Sequence, residues 1–67
     1  MKEIAKIENK DGKNKMEVLY DFDREVLYNH TVDHSCKMTK KEYAIARNKT
    51  IESAKEKGFS LVFETIN

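Results

Sequence analysis

Sixty-seven residues leave room for one domain, residues 1–67, and one modest core, because a chain of this length buries only about 60% of its unfolded surface. Charged residues make up 37% of the chain and hydrophobic ones 39%, with the signs interspersed to a net charge of +1, which argues against disorder driven by self-repulsion. The single cysteine, Cys36, excludes an internal disulfide, and the longest strongly apolar run, Leu61-Val62-Phe63, is far short of the ~20 residues a membrane helix needs.

The expected compartment is therefore the cytoplasm: Met1–Lys15 is rich in Lys, Glu and Asn and has no apolar stretch like that of a signal peptide. Eleven Lys against two Arg, with five Asn and five Ile, are residues of AT-rich codons. They point to an AT-rich bacterial genome, or to a phage or mobile element living in one. Charge is segregated along the chain: net +2 over residues 1–15, −4 over 16–35, +4 over 36–58 and −1 over 59–67.

In chain order, Glu3–Glu8 reads as a short strand, and Asp11-Gly12 behind it is a hairpin signal because glycine accepts a positive φ. Met16–Phe22 alternates, placing Met16, Val18, Tyr20 and Phe22 on one side. Asp21–Arg24 reads as a turn, and Glu25–Val32 as a third strand with Val26, Tyr28 and His30 on one side and Leu27 on the other. Thr39-Lys40-Lys41-Glu42 is a capping box opening a helix that runs to Lys57, with Gly58 as its left-handed stop. Its sheet-facing stripe of Tyr43, Ala44, Ala46, Thr50, Ile51 and Ala54 is mostly small, so the helix can lie close on a sheet, with Arg47 extending its head outward. Phe59–Ile66 is a last strand.

The fold expected is α+β, β-β-β-α-β, a small mixed or antiparallel sheet with one helix packed on one face. A right-handed crossover would set the last strand parallel beside the first. One sheet face is left without a helix, and an edge at the second or third strand could pair with a second copy to give a homodimer.

The chemistry-bearing residues form three groups. His30, His34 and Cys36, with Asp33 between, are the most ligand-like, but structural zinc wants four ligands and usually paired cysteines; the expectation is no metal and no cofactor. Asp21, Asp23 and Glu25 alternate, so an extended chain would present three carboxylates to one side, suited to a hard cation or to acid and base work. No nucleophile or phosphate-cradling glycine loop accompanies them, so they read better as an acidic patch for a basic partner.

Lys10, Lys13 and Lys15 line the first hairpin, and Lys37, Lys40 and Lys41 surround the helix start. Brought together, and with Tyr20 and Tyr28 as stacking groups, they would contact nucleic acid. Near-zero net charge and scarce arginine weigh against this. Ile45 falls opposite the apolar stripe, as a second place to bury apolar surface. The sequence thus leads to a non-enzymatic protein-binding module, a modulator or inhibitor of a host protein, with Asp21, Asp23, Glu25, Tyr20, Tyr28 and Ile45 as its contacts. A small nucleic-acid binder is the alternative; no membrane partner is expected.

Overall fold

The computed structural model describes residues 1–67. Its elements are β1 (Lys2–Glu8), β2 (Lys15–Asp21), β3 (Val26–Asn29), β4 (His34–Lys37), α1 (Lys40–Lys57) and β5 (Ser60–Ile66). All five strands are antiparallel in one sheet of order β4-β3-β2-β1-β5, with the helix on one face. The α+β class with a single helix is as the sequence implies, with one strand more.

That extra strand is β4. Thr31–Asp33, expected to prolong the third strand or lead to the helix, instead turns the chain back: Asn29 Oδ1 accepts from the Thr31 amide at 3.0 Å, and Asp33 takes φ 49°. Asn and Asp tolerate this left-handed backbone better than other residues, which is why the reversal falls between them. The additional reversal also decides the direction of β5. The chain enters the helix from the opposite end of the sheet, so β5 runs antiparallel to β1, pairing Ala5 with Phe63, and not parallel as a crossover would have required.

The helix itself is as its signals specify. Thr39 is the N-cap, its hydroxyl accepting from the Glu42 amide at 3.2 Å while the Glu42 carboxylate accepts from the Thr39 amide at 3.2 Å. Gly58 closes the helix at φ 71°, where a Cβ would collide with the Lys10 side chain. The turn of β1–β2 and the helix C-terminus therefore meet at one end of the molecule.

Alternation along the strands divides the sheet into two faces. Glu3, Ala5 and Ile7, with Val18, Tyr20, Leu27, Leu61 and Phe63 beside them in register, look toward the helix. The core there is small: Ala5, Tyr20, Tyr43 and Ala54 are the buried apolar residues. Tyr20, fully buried, stacks on Tyr43 at 4.0 Å between centroids with an interplanar angle of 6°, and Phe22 meets both rings edge-on. The Tyr20 hydroxyl donates to the Met38 carbonyl at 2.7 Å, fixing the chain just before the helix. The helix stays close to β1 and β5, leaving a cavity of about 140 Å³ between Ala46 and Thr50 on one side and Val18 and Leu27 on the other.

Arg47 departs from its expected pose. Its head turns inward: Nε donates to Glu3 Oε1 at 2.8 Å and the guanidinium lies 4.0 Å from the Phe63 ring centroid. The Tyr43 hydroxyl donates to the same Glu3 oxygen at 2.5 Å. A mostly buried carboxylate on the covered face needs such partners, and Glu3 takes both from the helix.

Candidate functional site

The face without a helix carries Ile4, Leu19 and Tyr28 in a continuous cross-strand row over β1, β2 and β3. Val26 lies beside Tyr28 along β3, and on β5 Val62 and Ile66 are 49% and 42% exposed. On β5 the row ends at Glu64, which faces Ile4 and pairs with Lys6 at 3.2 Å; Lys15 pairs with Glu8 at 3.7 Å farther along the same face. No helix covers this surface, and Ile4, Leu19, Val26 and Tyr28 are each half-buried. It is an apolar strip with a charged rim, the distribution found where partners meet.

Tyr28 is the one contact residue from the sequence that lies on this strip. Tyr20, expected to be available for stacking or contact, is instead the most buried large side chain in the molecule, because its side of β2 is the covered one. Ile45 is 50% exposed but sits on the outer side of the helix, across the molecule from the open sheet face.

The three carboxylates do not form a row. Residues 22–25 turn instead of extending, so alternation does not apply to them. Asp21 is buried, its Oδ1 accepting from the Asp23 and Arg24 amides at 3.0 and 3.2 Å. Glu25 adopts φ 54° and its carboxylate accepts from the Lys40 amide, at the positive end of the helix, at 3.2 Å. Asp23 projects, paired with the Met1 ammonium at 2.9 Å, which holds its carboxyl below the usual range. The acidic segment is thus engaged in closing its own turn and capping the helix.

The lysines fall into two separate sets. Lys10 and Lys13 are in the β1–β2 turn, with Lys15 opening β2, and Lys10 lies against Gly58. Lys37, Lys40 and Lys41 are at the other end, by the β2–β3 turn and the helix start. A seven-residue strand separates the ends, about 20 Å. Lys55 and Lys57, in the last helical turn, join the Lys10 end instead, a grouping visible only once the helix direction is known.

His34 and Cys36 alternate on the covered side of β4 while His30 stands in the turn, and no group of three or more His, Cys, Asp or Glu is placed to hold a metal ion. No helix is long and apolar enough to cross a membrane. The two edges of the sheet are β4 and β5; β2 and β3, expected to offer an edge for a second copy, are both interior. The chain matches no protein-family model, no curated protein and no solved structure.

Sequence reasoning missed Ile4, Leu19, Val26, Val62 and Ile66 as surface candidates. The alternation was present in each strand, but assigning a face requires knowing where the helix lies, and that depends on the extra strand.

Proposed function

We propose that this chain is a non-enzymatic protein-binding module whose contact surface is the open sheet face, centred on Leu19 and Tyr28. The observation that carries the reading is the cross-strand row Ile4–Leu19–Tyr28, with Val26 beside it on β3 and Val62 and Ile66 flanking Glu64 on β5. An aromatic amid aliphatic side chains, half-buried in the free protomer and ringed by polar groups, suits the centre of a contact surface. The acidic Asp21–Glu25 segment drops out of the contact set, since Asp21 and Glu25 already serve the turn and the helix start. A modulator or inhibitor of a host protein, carried by a phage or mobile element, is the role that the small size and AT-rich codon usage favour.

The test is capture by the tagged chain from lysate of an AT-rich bacterium, with and without nuclease, alongside Leu19→Lys and Tyr28→Ala. The expected result is one abundant protein that survives nuclease and is lost, or falls at least about tenfold, with either variant while both remain folded. Capture confined to nucleic-acid-associated proteins and abolished by nuclease would overturn the reading. So would a nuclease-resistant partner held equally well by both variants.

A further inference from the structure

The sheet ends in two unlike edges. β4 is four residues long, begins beside the left-handed Asp33 and carries an exposed Lys37, all devices that discourage pairing. β5 is seven residues long, with no proline and no lysine, and its only charged residue, Glu64, is tied to Lys6. Its inner side pairs with β1 along the full length, while its outer side presents unpaired backbone groups. Beside that outer side runs an open, mostly apolar groove between the helix and β5, lined by Ile51, Ala54, Lys55, Phe59, Leu61 and Phe63. Ile51 and the exposed Ala44 share this flank of the helix, the part of its apolar stripe that its own sheet does not cover. Backbone edge and side-chain groove together form the socket for one more antiparallel strand.

We propose that the strand is β5 of a second copy, the two pairing about a two-fold axis at Phe63 to make one continuous ten-stranded sheet. β5 is self-complementary in that register. Phe63 meets Phe63, an aromatic pair on the axis, and each Leu61 faces a Thr65, both on the groove side. On the open side each Val62 faces a Glu64, so the strand's only charge never opposes itself. A symmetric pairing uses each contact twice and closes after two copies. Val62 and Ile66 then lie at the seam, and the two open faces join into one surface. The inference does not depend on the protein-binding reading: the dimer forms from the purified chain alone, and its failure leaves capture of a partner to be judged separately.

Sedimentation velocity over a concentration series up to millimolar reads it directly. The expected species is twice the 7.9 kDa of one chain. Val62→Glu is the decisive variant, because within one protomer position 62 pairs with Lys6, which accommodates the new carboxylate, whereas across the axis it faces Glu64. Two like-charge pairs weaken the dimer by about tenfold or more. Val62→Glu combined with Glu64→Lys makes those pairs attractive and restores association to within about threefold of the wild type.

A wild-type chain at 7.9 kDa throughout the series overturns the proposal. So does a folded Val62→Glu variant that dimerises unchanged, or a folded double variant that stays dissociated. Should either variant unfold, amide hydrogen exchange on the wild type decides: the outward amides of β5 slow as concentration rises, and concentration-independent exchange there overturns it.

Discussion

The two faces of this sheet are made from the same strands, residue by residue in alternation, and they have opposite relations to the rest of the chain. At the centre of the covered face the side chains have partners: Tyr20 stacks on Tyr43 and bonds Met38, and Glu3 takes two donors from the helix. On the open face Ile4, Leu19 and Tyr28 form a continuous row that is half-buried among its strand neighbours and has no helix over it. Apolar surface that the fold does not use is surface available for something else. The two faces differ most at the tyrosines, which lie on opposite sides of neighbouring strands. Tyr20→Ala removes a fully buried ring and is expected to cost about 3–5 kcal/mol, most of the stability a domain this small possesses. Tyr28→Ala, on the open side, should cost less than about 1 kcal/mol. Urea denaturation of the two variants measures both, and equal losses would mean that the open face is core in all but position.

A smaller effect separates the polar part of the covered face from its aromatic part. Glu3 Oε1 is the shared acceptor of Tyr43 and Arg47, and the hydrogen bond from Arg47 in turn raises the guanidinium pKa. Glu3→Ala leaves the Tyr43 hydroxyl without its acceptor, at a cost of about 1–3 kcal/mol. Arg47 is about one-third exposed and recovers water, so the loss stays below that of Tyr20→Ala. A double-mutant cycle with Arg47→Met isolates the pair; a coupling of zero would show that the contact is geometry without energy.

What could be read from the sequence follows the range of the interaction responsible. The helix was legible to the residue, because Thr39, Glu42 and Gly58 act within one turn of its ends. The first hairpin was legible for the same reason, with Gly12 at φ 69°. β4 was not: His34–Lys37 has no strand-like composition, and its pairing with β3 rests on the reversal at Asn29–Asp33. From that one omission came the wrong direction for β5 and the wrong edges. The carboxylates misled differently. Their spacing implied a shared face only for extended backbone, and a turn at residues 22–25 sent each to a different partner.

The smallest effects come from titration, and they separate the covered face from the helix start. Burial, followed by the carboxylates of Glu25, Glu42 and Asp21, raises the Tyr20 phenol; burial and the bond to Glu3 raise Tyr43. A folded value above the unfolded one near 10 means their contribution is intact below pH 10 and is lost as pH climbs past it. Tyrosinate absorbance should therefore rise for these two rings together with unfolding, and Tyr20→Phe should soften that alkaline limb alone. Glu42 shifts the other way. The Thr39 amide and then its hydroxyl hold its carboxyl below the ordinary 4.5, so its contribution is complete above that value and fades as pH falls through the lowered one. Glu42→Gln keeps a side-chain acceptor for the Thr39 amide but removes the proton linkage. Its stability, followed by circular dichroism from neutral pH downward, should fall less steeply in acid than the wild type's while the alkaline limb stays unchanged. An acid limb identical in the two proteins would place the acid sensitivity elsewhere, with Asp23 and its ammonium partner the next group to test.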